Sequence, residues 1–428
     1  MKTWIRNAYV ISMDSRDSIY PDGCVMIEND KITYVGCQEG FEAEHADRII
    51  DAKGNIVMPG LVNAHTHLPM TIFKGYGEDL PLQKWLEDKI WPAEDQLNDE
   101  IVYWSSLLGL IEMAKTGTTC FLDMYMYYDA VYDAMQKSGH RGVFARAVMD
   151  IDGGGERRLK DAEDVFEKYK GRQKIDVMAS AHAEYTCSSK ILEQTLALAK
   201  KYDAGIHIHI SETQSEHEAA KEKYGLTPIQ LLDKLKLTEV PVAAAHCVYV
   251  DDIDIEIMAD KGVSVLSCPQ SNLKLGSGIA PIKKMMDHGV NIAVGTDGSS
   301  SNNNLDMLEE TMLVSMLQKG ILKDAAAISN MQALKMATVG GAKALNKDKE
   351  IGQLKAGYLA DLIMIDTSNI EFVPRNDLVS CIINSGCGRD VCMTMIGGDI
   401  IYQDGKITFI EEQKVISRVQ EYADQICI

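Results

Sequence analysis

The sequence predicts an α/β protein: a (β/α)8 TIM barrel over residues 58–354, with a small β-sandwich domain assembled from both chain ends, 1–57 and 355–428. Three observations predict it. Eight short runs rich in Val, Ile, Ala or Phe alternate with helical stretches, and eight such units imply a closed parallel sheet with crossover helices. Both ends share a different texture of short strands and tight turns. Finally, polar side chains gather where the apolar runs stop.

In chain order, Gly23–Gly36 reads as strands around an Asn29-Asp30 turn, followed by a short strand at Arg48–Asp51. The eight barrel strands are expected at 56–63, 118–124, 142–149, 176–181, 204–210, 242–246, 263–267 and 291–296. Helical segments separate them; Ile191–Lys200, for example, is made almost wholly of good helix formers. Met124–Tyr128 reads as core in preference to a cavity wall. Gly153-Gly154-Gly155 lacks the glycine and lysine spacing of a phosphate-binding loop and reads as a turn or lid. Leu359–Asp366 and Asp399–Ile407 bring back the strand-and-turn texture of the first fifty residues.

Composition narrows the partners. The 428 residues carry a formal charge of −20, which argues against nucleic acid and anionic membranes, since binding phosphates needs clustered Lys and Arg. The first residues form no secretory apolar segment, and no run is long enough to span a bilayer. Ten scattered cysteines without a CxxC pair read as free thiols in a reducing cytoplasm. A small-molecule substrate is expected, with a homo-oligomer compatible with the size.

The histidines carry the chemistry. Strand one runs into His65-Thr66-His67, strand four into His182, strand five into His207-Ile208-His209 and strand six into His246, while strand eight ends at Asp297. Residues at the C-terminal ends of barrel strands converge on one face. His-x-His on a strand points both imidazoles the same way, because the side-chain period is two. His65, His67, an imidazole from a facing strand and the Asp297 carboxylate make an N3O donor set. It suits one divalent cation, Zn2+ foremost, with Fe2+ or Mn2+ also compatible, and leaves room for a water. The pattern does not choose between His207 and His209. Glu212, three residues beyond His209, is placed to move a proton without binding the metal, and His246 to serve as a further base.

Together, Met58–His67, His209–Glu212, Ala245–Cys247 and Val294–Asp297 resemble the amidohydrolase superfamily over nearly the whole chain. Within it, Leu80–Glu94, Ser271–Leu275 and Asp297–Asn304 are similar to the 5-methylthioadenosine/S-adenosylhomocysteine deaminases. The resemblance implies a hydrolase of non-peptide C–N bonds that deaminates adenine nucleosides. It implies metal ligands His65, His67, His209 and Asp297. Glu212 would protonate the ring, His246 would align the attacking water, and Asp297 would take that water's proton. Glu94 would contact the sugar, and Arg146, Arg158 and His182 the rest of the substrate.

One departure stands out. The family usually has proline directly before the tyrosine after strand four, whereas here Glu184 precedes Tyr185. Glu184 reads as solvent-facing; turned inward, it would alter the electrostatics of the cavity. Deaminases of guanine, 8-oxoguanine, pterin or triazine rings, and cyclic-amide hydrolases, are the enzymatic rivals. The last commonly need a second metal on a modified lysine after strand four, and 176–189 contains no lysine. A metal-dependent binding protein would need the ligands but neither Glu212 nor His246.

Overall fold

The computed structural model describes residues 1–41 and 45–427. Its parallel strands follow the expected order: Leu61–Thr66, Thr118–Asp123, Arg141–Phe144, Ile175–Val177 continuing into Ala179–Ala183, Ile206–Ile210, Val242–His246, Ser264–Ser267 and Asn291–Val294. Consecutive strands pair in parallel within two arcs. The arcs join into a barrel at two seams. At one, His182 N–H donates to Val148 O (2.8 Å); at the other, Asp297 N–H donates to His65 O (3.0 Å) and Thr296 N–H to Asn63 Oδ1 (3.0 Å). The second seam needs Gly295, because a Cβ there would sit 2.8 Å from the His65 backbone nitrogen. The cost of that close approach is removed by the absent side chain.

The first expected strand needs correction. The run 56–63 belongs to two sheets and breaks at Gly60. Ile56–Pro59 pairs with Leu362–Ile365 and with Tyr9 and Val10, whereas Leu61–Thr66 pairs with Thr118–Asp123. A Cβ at Gly60 would lie 2.2 Å from the Thr119 side chain, so the crossing point admits only glycine. The barrel strand therefore extends to Thr66 and carries His65 within it.

The two ends build one hydrogen-bonded sheet of nine strands among the described residues, five from the N-terminal segment and four from the C-terminal one. Its buried face is its own core, including Ile5, Val10, Val25, Val57, Leu362 and Met393. Arg141 ties it to the barrel through a two-pronged pair with Asp361 (2.8 and 3.1 Å), and Asp361 also accepts Gly397 N–H (2.8 Å). The last helix, Glu412–Ile426, returns to the barrel. It lies against helix Asp99–Thr116, where Tyr422 meets Glu100 (2.7 Å) and Lys115 meets Glu412 (2.6 Å). Among the described residues no helix is long and apolar enough to cross a membrane.

Candidate active site

Each chemical side chain sits at or just beyond the end of a barrel strand. His65 lies inside the first strand and His67 directly after it; His209 lies in Ile206–Ile210, and Asp297 follows Asn291–Val294. One ligand atom from each of these four falls within 4.8 Å of the others. Asp297 Oδ1 is 3.2 Å from Nε2 of both His65 and His67, and its Oδ2 accepts the hydroxyls of Ser271 (2.7 Å) and Ser301 (2.8 Å). The two serines hold the outer oxygen, which leaves the inner one for the cluster.

Hydrogen bonds behind the rings decide which nitrogen faces inward. His67 Nδ1–H donates to Met124 O (2.5 Å) and His209 Nδ1–H to His182 O (2.8 Å). A ring that donates from Nδ1 keeps its Nε2 lone pair for a cation. His65 reaches the same state through a relay. His207 Nδ1–H donates to Ala243 O (2.8 Å), so His207 Nε2 accepts His65 Nδ1–H (2.9 Å) and His65 Nε2 is freed inward. Burial lowers the His65 pKa to about 4 despite Asp297, keeping the ring neutral as a ligand must be. The ambiguity between His207 and His209 is thereby resolved: His209 joins the donor set, and His207 orients His65 from behind. This donor set fits a divalent cation, with three inward imidazole nitrogens and one carboxylate oxygen; Asp297 raises the His67 pKa to about 9 against burial, so a cation would displace the proton on its Nε2.

Glu212 stands beside the cluster without belonging to it. It is 5% exposed, its Oε1 accepts Ser277 Oγ–H (3.3 Å), and its Oε2 lies 3.8 Å from His246 Nε2. Burial raises its pKa to about 6, with His246 opposing, which suits a group that must give and take a proton near neutrality. His246 Nδ1–H donates to Asn272 Oδ1 (2.9 Å), so Nε2 remains an acceptor facing the cluster.

The turns that present these groups are strained. Ser211, His246, Cys247 and Asp297 all have positive φ (53°, 74°, 47° and 59°) although none is glycine. Such backbone costs about 1–2 kcal/mol per residue and persists only where its surroundings enforce it. Here Val248 and Tyr249 N–H both donate to Ser211 O (2.9 and 3.0 Å).

A cavity opens over the cluster. His67, His209, Glu212, His246 and Asp297 form its floor, and Glu94, Arg146 and His182 its walls. Leu82, Trp85, Leu86, Ile90 and Trp91 close one side, with Met126, Met149 and Leu275 beyond. Met124 and Tyr125 also line it, so the stripe expected to be core divides: Tyr128 is core and the first residues face the cavity. Tyr125 O–H donates to Glu94 Oε1 (2.7 Å), and burial raises the Glu94 pKa to about 7. Thr186 O–H donates to Ala183 O and accepts His182 Nδ1–H (3.1 Å each), so His182 offers Nε2 as an acceptor; burial lowers its pKa to about 3.

Two expectations are redrawn. Arg158 is not among the residues lining the cavity. Its guanidinium grips Asp152 (2.5 and 2.8 Å) and donates to Met149 O (3.0 Å), tying down the loop that holds Gly153–Gly155. Glu184 is 2% exposed and does not face solvent. Tyr125, Ser271, Asn272 and Ser301 carry no role of their own in the sequence reading, and His207 enters it only as the alternative to His209. Ser271 and Asn272 lie in Ser271–Leu275 and Ser301 lies in Asp297–Asn304, two of the stretches that carry the resemblance, and that is their signal in the sequence.

The fold and donor set define a hydrolytic centre built for one divalent cation at the mouth of a (β/α)8 barrel. The chain belongs to the amidohydrolase family, whose sequence profile matches residues 56–401. It is 41% identical over 430 residues to a 5-methylthioadenosine/S-adenosylhomocysteine deaminase of Caldanaerobacter subterraneus, covering 100% of this chain and 99% of the relative. To a 5'-deoxyadenosine deaminase of Methanosarcina mazei it is 43% identical over 426 residues, covering 99% and 98%. A crystal structure of an adenosine deaminase from Xanthomonas campestris with bound zinc superposes with a TM-score of 0.95 at 31% identity, covering 99% and 98%.

Proposed function

We propose that the protein is a metal-dependent aminohydrolase of adenine nucleosides, converting 5'-methylthioadenosine, S-adenosylhomocysteine or both to the inosine analogue and ammonia. The observation that carries this reading is Glu212. It is a buried carboxyl with pKa near neutrality, set beside the N3O donor set but outside it, and facing a cavity with a mainly apolar wall. A binding protein would have no use for such a proton carrier. Relatives along the full chain bear deaminase names, and one solved relative holds zinc.

His65, His67, His209 and Asp297 would hold the cation, for which zinc is proposed. When bound, it acts as a Lewis acid that lowers the pKa of water from about 15.7 towards about 7. Asp297 accepts the proton of the attacking water, with its outer oxygen pinned by Ser271 and Ser301. Glu212 gives its proton to ring N1 as oxygen adds to C6. His246 aligns the water through Nε2, and ammonia leaves with the protons that Asp297 and Glu212 relay. Glu94, with one oxygen held by Tyr125, offers the other to the sugar hydroxyls. His182 accepts a hydrogen bond from the substrate, and Arg146 meets its tail. Arg158 contributes by fixing the loop at the rim through Asp152.

Ultraviolet absorbance with adenosine, 5'-deoxyadenosine, 5'-methylthioadenosine, S-adenosylhomocysteine and guanine tests the proposal. Turnover is expected with the adenine nucleosides and not with guanine. The Glu212→Gln variant should lose about 10²–10⁴-fold in kcat while keeping its metal. Turnover of guanine alone, or near-normal rates in that variant, would refute the reading.

A further inference from the structure

Glu212 sits on a turn that another carboxylate holds. Glu216, third residue of helix Gln214–Tyr224, accepts Ser211 N–H on Oε1 (2.6 Å), and on Oε2 it accepts Glu212 N–H (2.7 Å) and Thr213 N–H (3.4 Å). Thr213 completes a reciprocal cap on the same helix. One side chain therefore spans three consecutive amides, including that of the proposed proton carrier. Ser211, at the start of the turn, has the positive φ described above, so the clamp works against backbone strain.

A second carboxyl lies against this clamp. Glu184 is buried, its side chain meets that of Glu216, and its Oε2 finds no donor among the described residues. Two ionised carboxylates cannot share so dry a site, and an oxygen without a donor is accounted for if it carries the proton itself. Glu216 already receives three amides and is the natural acceptor. Desolvation, followed by the charge of Glu216, raises the Glu184 pKa far above the usual carboxyl range. Among the described residues, the titratable groups facing the pair are Tyr185 on its own turn, Glu212 on the clamped turn and the Cys247 thiol after strand six, with Asp254 farther out and His217 next to Glu216 on its helix.

We propose that Glu184 is a positioning residue for Glu212: it gives its carboxyl proton in a hydrogen bond to Glu216 and thereby fixes the clamp on the Ser211–Thr213 turn. The neutral acid satisfies the remaining lone pair of Glu216 without competing for the amides. Loss of that proton places two negative charges side by side, and the turn carrying Glu212 loosens. This rests on the deaminase reading of the same site and adds a residue that touches neither substrate nor cation.

The test compares Glu184→Ala and Glu184→Gln in the metal-loaded full chain. The amide of Gln can donate to Glu216 as the acid does, so Glu184→Gln should keep kcat within about threefold at neutral pH. It should also hold that rate at alkaline pH, where the unmodified protein declines. Glu184→Ala should lose about 10–100-fold in kcat with little change in KM, the cost of a misplaced catalytic group. Hydrogen exchange at the Ser211 and Glu212 amides gives a readout independent of turnover. Protection should fall in Glu184→Ala and persist in Glu184→Gln. Unchanged protection in Glu184→Ala, or one alkaline limb shared by Glu184→Gln and the unmodified protein, would overturn the proposal. If no nucleoside is deaminated, the functional reading fails, and the exchange result still decides the clamp.

Discussion

Replacing His207 by leucine should weaken zinc binding although His207 touches no cation. The ring is fully buried and makes two hydrogen bonds, accepting His65 Nδ1–H at 2.9 Å and donating to Ala243 O at 2.8 Å. Leucine strands the His65 N–H at 0% exposure, where no water can replace the lost acceptor. Leaving such a donor unsatisfied costs about 1–3 kcal/mol of folding free energy. Separately, His65 loses the bond that selects its tautomer, so the state with Nε2 free no longer dominates. Loss of a partner behind a ligating histidine lowers metal affinity about 10–100-fold, or about 1.4–2.8 kcal/mol at 1.4 per decade. The two effects separate experimentally. Thermal melting of the metal-free protein reads the first, and competition against a chelator reads the second. A variant that folds and binds zinc within about threefold of the unmodified protein would refute the relay.

Three further outcomes follow from the same geometry. Burial raises the Glu94 pKa to about 7, so its folded form holds a proton that the unfolded chain releases near 4.5; its stabilising effect is complete below 4.5 and lost as pH rises through about 7. Melting temperature should fall over that window and fall less in Glu94→Gln, while kcat/KM should climb through the same pKa as the ionised sugar acceptor forms, a limb absent from the variant. Asn272→Leu should lower kcat about 10–100-fold by freeing the His246 tautomer, whereas Asn272→Asp, which keeps an acceptor for Nδ1–H, should recover most of it in steady-state assays. Arg146→Ala should raise KM for S-adenosylhomocysteine more than for 5'-methylthioadenosine, because Arg146 faces the cavity; Arg158→Ala should raise both alike, because Arg158 acts through the Asp152 loop.

Much of the site was legible because a barrel converts sequence position into spatial position. Once eight strands are counted, residues where they end must share one face, and His67, His182, Glu212, His246 and Asp297 do line one cavity. Its limits have physical causes as well. An apolar run does not show where it changes partners. The break at Gly60 depends on the Thr119 side chain, which would lie 2.2 Å from any Cβ at that position and is contributed by a segment nearly sixty residues later. Glu184 looked exposed because a lone carboxylate resists burial; its burial depends on Glu216 lying beside it, a tertiary fact.

The two histidines of strand five show the boundary most clearly. Alternation fixes the face of a side chain but not its height along the barrel axis. Height is set by register: His207 is level with Ala243 and Ser180, whereas His209 is level with Ala245 and Ala183, one layer nearer the mouth. Two residues of rise, about 6–7 Å, separate a ligand from the group that aims a ligand. The same imidazole does both jobs because its two nitrogens differ. Which ring can meet the cation therefore depends on which layer it occupies, and a register shift of two residues would carry one of the two histidines into the other's layer and leave its own layer without an imidazole, while keeping the inward and outward faces of the strand unchanged.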